Sequence, residues 1–193
     1  MFRISKKIIY IIFIIILGIF YRLIPHPANF SPIYSISVFS AVLPLEISNN
    51  KIIKYFSFLI PVVILFITDL ILGVHNTMIF NYIAFLSISF FSYFMFSKYN
   101  RVSKIKVGIG LSLLSSIWFF IVSNFGVWLL SEMYSKDFNG LILCYINAIP
   151  FLANSIISAF IFSILIFYSY EIVIKSFLKG KDVDNCLLYT SPS

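Results

Sequence analysis

Nine polar side chains interrupt or border the apolar stretches of this sequence, and together they could bind a small polar molecule. They comprise a guanidinium, two imidazoles, a carboxylate, an indole and four amides: Arg22, His26, Asn29, Asp69, His75, Asn124, Trp128, Asn147 and Asn154. Polar groups inside apolar spans are costly, so each one needs a compensating role. A pocket of mostly apolar surface with a few placed polar groups would supply that role.

Each of these residues also has a purely structural interpretation. The aspartate can pair with Arg22 or His75 where water reaches the membrane surface. The asparagines within helices can join neighbouring helices by hydrogen bonds. The tryptophan can belong to the aromatic belt of a membrane protein, and the histidines can be ordinary loop residues. Two histidines alone are a weak signal for zinc, so no metal site is predicted.

The composition shows what kind of element must carry these residues. Of 193 residues, 61% are hydrophobic, 19% aromatic and only 11% charged. Such values depart strongly from soluble averages and indicate a multispanning membrane protein. The net charge of +7 does not predict a nucleic-acid partner, because the basic residues lie between apolar runs and not along one soluble face.

Other functional signals are weak or absent in the sequence. Cys144 and Cys186 form no CxxC pattern and no disulfide framework. No segment matches GxxxxGK[ST], so the chain is not expected to hydrolyse ATP itself. No catalytic residue and no cofactor is predicted, and the chain is not expected to be an enzyme.

Six segments are long and apolar enough, or nearly so, to cross a bilayer. Their approximate bounds are 8–24, 30–45, 55–73, 78–97, 107–130 and 148–174. The second is short, with Pro32 suited to its first turn and Pro44 to its exit. The sequence therefore predicts an all-α polytopic membrane protein, a bundle of six transmembrane helices in one domain over residues 1–175, followed by a cytoplasmic tail over 176–185.

The basic residues predict the orientation of these helices. With six spans, twelve of the 14 basic residues fall on one side, and the exceptions are Arg22 and Lys136. The positive-inside rule then places both termini in the cytoplasm. In this orientation the nine polar side chains lie in or near the outer half of the membrane. We therefore expect a cavity that opens to the outside.

The inner half of the fifth predicted helix carries a different pattern. Gly108, Ser112 and Ser116 are spaced by four residues and so lie on one helix face. Small residues at this spacing allow close helix packing, which indicates architecture and not a site.

The last eight residues, CLLYTSPS (186–193), resemble a translated sequencing adaptor. Such segments are excluded from fold reasoning. The alternative is a native tail. If the segment is foreign, Cys186 is not native and the true C-terminus is missing.

Four stretches together resemble an uncharacterised family of small bacterial membrane proteins: RLIPHPANFSPI, TDLILGVH, SNFGVW and CYINAIPFLANS. In that family an arginine, a Pro-His-Pro-type turn with Asn-Phe, an Asp-x-x-x-Gly-x-His motif and an Asn-Phe-x-x-Trp motif recur. The resemblance covers about residues 8 to 170. It implies a multi-pass protein of the bacterial cytoplasmic (inner) membrane.

That family is in turn similar to the substrate-binding S components of energy-coupling-factor transporters. This second resemblance rests on size, topology and the outward-facing site. It implies capture of a vitamin or metal ion from outside, and pairing with a transmembrane coupling subunit and two ATPases. S components often carry an Ala-x-x-x-Ala motif in helix 1, whereas Gly18 is the only small residue of this helix. This departure argues against the complex with ATPases, but it does not argue against a solitary carrier.

Three functions remain open from the sequence. The leading one is an S-component-like protein that binds a small vitamin- or metal-like solute from outside, as a transporter subunit or a solitary carrier. Its partners would be the bilayer, the solute and the coupling subunit with its ATPases. The second is a membrane enzyme that uses His26, Asp69 and His75 on lipid or envelope precursors. The third is a structural scaffold in the envelope.

Overall fold

In the residues that the structure describes, the chain forms helices joined by turns and loops. A computed structural model describes residues 6–46, 51–98 and 101–189, with side-chain surroundings for 9–45, 55–98 and 104–173. The helices are α1 (Lys6–Leu23), α2 (Ile33–Ser40), α3 (Leu43–Glu46), α4 (Lys51–Leu72), α5 (Met78–Ser97), α6 (Arg101–Leu130) and α7 (Phe138–Tyr189). The predicted all-α class is confirmed.

Four of these helices are long and apolar enough to cross a membrane. The qualifying stretches are Tyr55–Leu72, Met78–Ser97, Lys104–Leu130 and Phe138–Val173. Two further apolar stretches, Ile9–Leu23 and Ile33–Leu45, are shorter. The chain is thus a helical, membrane-like protein, while the six-span topology and its orientation stay predictions. Arg3, one of the residues used for that orientation, lies outside the described residues.

The second predicted span, 30–45, is divided into α2 and α3. Proline has no N–H, and its ring crowds the carbonyl four residues earlier, so Pro44 opposes a continuous helix through Ser40. The chain turns at Ala41 and Val42 instead. Their N–H groups bond the carbonyls three residues back, at 3.2 and 2.9 Å. The predicted exit at Pro44 therefore becomes a short turn followed by one helical turn.

The last helix begins at Phe138 and not near residue 148. The Asp137 carboxylate accepts a hydrogen bond from the Gly140 N–H at 2.7 Å, which is an N-cap arrangement. Pro150 then lies inside the helix, where neighbouring groups can satisfy the freed backbone carbonyl. The helix continues to Tyr189 through the segment predicted as a tail, and residues 190–193 lie outside the described residues.

The short helix α2 lies at the centre of the bundle, with all eight of its residues buried. It packs against α4, α5, α6 and α7. The Ser35 hydroxyl donates to the Ala159 carbonyl of α7 at 3.0 Å, and the Ser40 hydroxyl to the Ser89 hydroxyl of α5 at 3.2 Å. Since apolar surroundings supply little drive for helix association, such bonds and close contacts hold the helices together.

The small-residue face of α6 allows close packing, as predicted. A Cβ atom at Gly108 would lie 2.5 to 2.7 Å from the ring of Phe167 on α7. That ring is 4% exposed and packs edge-on against Phe39, with centroids 5.6 Å apart. It therefore has little room to move. Ser112 and Ser116 on the same face are fully buried.

Two neighbouring glycines of α6 provide a matched test of this packing. We expect Gly108→Ala to lower the free energy of unfolding by about 1–3 kcal/mol, because the added methyl group must displace a packed ring. No atom lies within 4 Å of a Cβ at Gly110. Gly110→Ala should leave stability unchanged or raise it by up to about 1 kcal/mol. The measurement is denaturant titration in detergent, and equal effects of the two changes would contradict the packing.

Candidate functional site

A buried ion pair joins α1, α4 and α5 near one end of the bundle. The Arg22 guanidinium donates to Asp69 Oδ1 at 2.5 Å, and the Tyr82 hydroxyl donates to Asp69 Oδ2 at 2.9 Å. The Asp69 side chain is 3% exposed and the Arg22 side chain 21% exposed. Both carboxylate oxygens thus have a donor, as a charge in apolar surroundings requires.

The segment between α1 and α2 is a proline-rich turn with a fixed position. The Phe30 N–H donates to the Pro27 carbonyl at 3.0 Å, and Asn29 in this turn has a φ of 61°. This left-handed conformation is costly for most residues, but asparagine tolerates it. The Asn154 side chain of α7 donates to the Ala28 carbonyl at 3.0 Å, which anchors the turn to α7.

A cavity of about 300 Å³ lies against Arg22 and this turn, and we call it the basic lobe. An arginine and two histidines line it, together with two amides, hydroxyl groups and apolar side chains from α2, α4, α5 and α6. Among the described residues that line it, none carries a carboxylate. The lining residues are Arg22, His26, Asn29, Ser31, Ile33, Tyr34, Leu65, Leu72, His75, Asn81, Phe85 and Phe119.

A second cavity of about 330 Å³ adjoins the first, and we call it the amide lobe. Four asparagines and three hydroxyl groups line it. The full lining is Asn29, Thr77, Asn81, Phe119, Ser123, Asn124, Val127, Met133, Tyr134, Cys144, Asn147, Ala148 and Phe151. Asn29, Asn81 and Phe119 border both lobes. Because the two lobes share these lining residues, we refer to them together as the polar chamber.

Aromatic rings form a shared apolar wall of this chamber. Phe119 stacks on Phe85, with centroids 4.9 Å apart and planes 24° apart. It also meets the edge of Tyr34 at 5.5 Å, and the Tyr34 hydroxyl hydrogen-bonds the Ser155 hydroxyl at 3.1 Å. Because each ring is held by its neighbours, the wall is firmly positioned.

The amides of the chamber differ in what they already bind. Asn124 donates to the Phe120 carbonyl of its own helix at 2.8 Å, and Asn147 to the Tyr134 hydroxyl at 3.4 Å. Within the part of the chain that the structure describes, the side chains of Asn29 and Asn81 have no hydrogen-bond partner. A free carboxamide offers two donor hydrogens and an acceptor oxygen to a ligand.

The connection from α6 to α7 encloses the amide lobe. The Trp128 indole donates to the Ser135 carbonyl at 2.9 Å, and the Lys136 ammonium donates to the carbonyls of Trp128 and Ser131. A cation at a helix C-terminus satisfies carbonyls that have no partner within the helix. These bonds hold the segment that places Tyr134 in the lobe lining.

Asp137 completes this connection on the α7 side. Its carboxylate accepts hydrogen bonds from the Gly140 N–H and the Ser135 hydroxyl, both at 2.7 Å. The bond from Gly140, and to a lesser degree that from Ser135, lowers the pKa of Asp137 below its usual value.

The chamber brings together six of the nine predicted residues. Arg22, His26, Asn29 and His75 line the basic lobe, and Asn29, Asn124 and Asn147 line the amide lobe. The other three do not line either lobe. Asp69 binds Arg22, Trp128 holds the connection after α6, and Asn154 holds the turn before α2.

Several lining residues were missed from the sequence, and one of them could have been found. Asn81 is an amide inside the fourth predicted span, and the rule that a polar residue in an apolar span needs a role applies to it directly. Thr77 and Ser123 are too common at helix ends and in apolar helices to stand out. Tyr82, which binds Asp69 but lines neither lobe, has no sequence signal, because its role depends on where α4 packs.

Among the described residues, neither a further cavity nor a group of metal-ligating side chains provides a second polar site. A cavity of about 470 Å³ between α5 and α6 is lined mainly by apolar side chains, and the Trp118 indole there already donates to the Ser87 hydroxyl at 2.9 Å. Among the described residues, no three His, Cys, Asp or Glu side chains are grouped to hold a metal ion. No hydrogen bond joins Asp69 to either histidine in this part of the chain.

Fold and site together define a helical, membrane-like protein with a polar chamber at one end of its bundle. The chain belongs to the Family of unknown function (DUF6580), whose model matches residues 2–181. The predicted resemblance to an uncharacterised family is thereby confirmed. No curated protein and no solved structure matches the chain.

A double-mutant cycle tests the ion pair. Arg22→Met alone should lower the free energy of unfolding by about 3–5 kcal/mol, because it leaves a buried carboxylate without its cation. Adding Asp69→Leu should restore most of that loss, since no buried charge then remains. The free energies come from denaturant titration in detergent. Losses that simply add would show that the two side chains do not interact.

The N-cap at Asp137 should make stability depend on pH. Since its pKa is lowered in the folded chain, its stabilisation is full above the unfolded pKa and is lost as the pH falls through the folded pKa. We expect Asp137→Ala to lower the unfolding midpoint at about pH 7, and the difference from wild type to shrink toward about pH 3.

Glu132 provides the control for that measurement. It lies in the same connection, is exposed, and has no hydrogen bond among the described residues. Glu132→Ala should change the midpoint little at either pH. A pH-independent effect of Asp137→Ala would contradict the proposed cap.

Proposed function

We propose that this protein binds a small solute from outside the cell in its polar chamber, as the substrate-binding subunit of a transporter or as a solitary carrier. In this proposal six helices cross the bacterial cytoplasmic membrane and both termini are cytoplasmic. The chamber then faces outward, because it lies where α1, α4 and α6 end and where α2, α5 and α7 begin.

The observation that carries the proposal is the convergence of unsatisfied polar groups in one cavity. The chamber draws on the α1–α2 turn and on α1, α2, α4, α5, α6 and α7. Asn29 and Asn81 have no partner among the described residues and border both lobes. At the half-buried position of Asn81, a merely structural amide would be expected to bond its own bundle, as Asn154 does.

The dimensions of the chamber also suit a ligand. Each lobe has a volume near the lower end of the usual range for small-molecule sites, roughly 300–1,000 Å³. Each lining combines apolar side chains with polar groups that come from several helices. This balance supports recognition of a compact solute by orientation as well as by burial.

The transporter version of the proposal adds a partner. A transmembrane coupling subunit with ATPases would energise transport, since the chain has no nucleotide-binding motif of its own. The solitary carrier needs no such partner. Both versions share the same chamber, so the binding test below does not depend on the choice between them.

The test is ligand-dependent thermal stabilisation of the purified chain. The panel contains nucleobases, aromatic carboxamides, B-group vitamins and divalent metal ions. At least one compound should raise the unfolding midpoint of the wild type, because a ligand that binds only the folded state stabilises it. Asn81→Leu should weaken that compound at least about tenfold, because the chamber loses a free donor and acceptor.

Asn139→Leu is the matched control. It makes the same chemical change at an exposed position of α7 that does not line the chamber. The stabilisation should survive in this variant. A panel without any effect on the wild type, or an effect that persists in Asn81→Leu, would contradict the proposal. Mass spectrometry of compounds that co-purify with the chain extends the panel.

A further inference from the structure

The guanidinium of Arg22 in the basic lobe has unused hydrogen-bond donors. A guanidinium carries five N–H donors. Within the described part of the chain, Arg22 makes one hydrogen bond, to Asp69. The Arg22 side chain is 21% exposed and lines the lobe, whereas the Asp69 side chain is 3% exposed. The remaining donors of Arg22 have no second carboxylate partner among the described residues, and the side chain that carries them lines the cavity.

The surroundings of Arg22 favour a negative ligand. His26 and His75 line the same lobe, and no carboxylate is among its described lining residues. Asp69, the carboxylate that pairs with Arg22, has one oxygen bound by that arginine and the other by Tyr82. A guanidinium and neutral donors at the surface of such a cavity offer hydrogen bonds to the oxygens of an anion.

The amide lobe differs in charge. Its described lining contains amides, hydroxyls and apolar groups, with no Lys, Arg, Asp or Glu. The rings of Phe119 and Phe85 border the basic lobe, and Phe119 also borders the amide lobe. A ligand that spans both lobes would meet a cation at one end and neutral hydrogen-bonding groups at the other.

We infer that the basic lobe binds an anionic oxygen group, a carboxylate or a phosphate, through the free donors of Arg22. The solute of the chamber is then an anion whose uncharged polar part occupies the amide lobe. This second statement rests on the proposed function. Guanidinium suits the role because its planar fork matches the geometry of carboxylate and phosphate oxygens.

Asp69 acts here as a positioning residue. It holds the guanidinium at the wall and compensates its charge while the lobe is empty. Removing the carboxylate leaves the cation without its partner, so a bound anion should stabilise the folded chain more strongly. Neutralising Arg22 should do the reverse. A purely structural ion pair does not predict these opposite signs.

The experiment is thermal unfolding of the full chain in phosphatidylcholine nanodiscs. The probes are acetate, benzoate and inorganic phosphate, each titrated against sodium chloride at equal ionic strength. At least one probe should raise the midpoint of the wild type saturably. Arg22→Gln should weaken that probe about tenfold or more, since a charge-assisted hydrogen bond is lost. Asp69→Asn should enlarge the shift.

Two further variants serve as controls for this experiment. Lys106→Gln removes one positive charge at an exposed position near the opposite end of α6, and it should leave the shift unchanged. If Arg22→Gln does not fold, Arg22→Gln with Asp69→Asn removes both charges of the pair. The double variant should also lose the shift.

A second set of nanodiscs distinguishes a lipid phosphate from a soluble anion. In these nanodiscs phosphatidylglycerol replaces phosphatidylcholine. A shift that appears only with this lipid and disappears in Arg22→Gln supports the anion site but assigns it to a lipid phosphate, against the proposed soluble solute. No saturable shift from any probe or lipid overturns the inference, as does a shift undiminished in Arg22→Gln. If neutral compounds still stabilise the chain through Asn81, the proposed function stands without the anion.

Discussion

A charge inside an apolar helix bundle must have a partner, and this constraint organises one end of the molecule. The partners of Asp69 come from α1 and α5, so the pairing fixes where three helices meet. Arg22 is thereby held at the start of the proline-rich turn, and the turn leads into the buried helix α2. The basic lobe lies between these elements. The shape of the basic lobe therefore depends on an ion pair whose carboxylate does not line the lobe.

The central helix sets the other side of the chamber. Because α2 is buried all round, it can be positioned only by contacts with its neighbours, and its serines bond α5 and α7. Tyr34, in its first turn, meets the ring of Phe119 on α6. Packing in the middle of the bundle is thus continuous with the aromatic wall of the chamber, which ties the stability of the fold to the geometry of the site.

Most of the fold class and part of the site were readable from the sequence, since length, apolarity and polar interruptions are local properties. The start of α7 was not, because the last span was predicted from residue 148, whereas Asp137 supplies a cap further upstream. Pro44 was predicted to suit the exit of the second span, but its effect falls on the residues before it, where the span divides into α2 and α3. Helix ends depend on such local competition, and composition does not resolve it.

By itself the sequence determined that this chain is a helical, membrane-like protein with costly polar groups at several helix ends. It also determined which residues were candidates, because polarity within an apolar run is visible without a structure. Only the tertiary structure decided their roles. Asp69 and Asn154 turn to protein partners, whereas Asn81 borders the cavity. The reason is physical: a side chain's partner lies on another helix, and the rotation and depth of that helix are set by packing across the whole bundle.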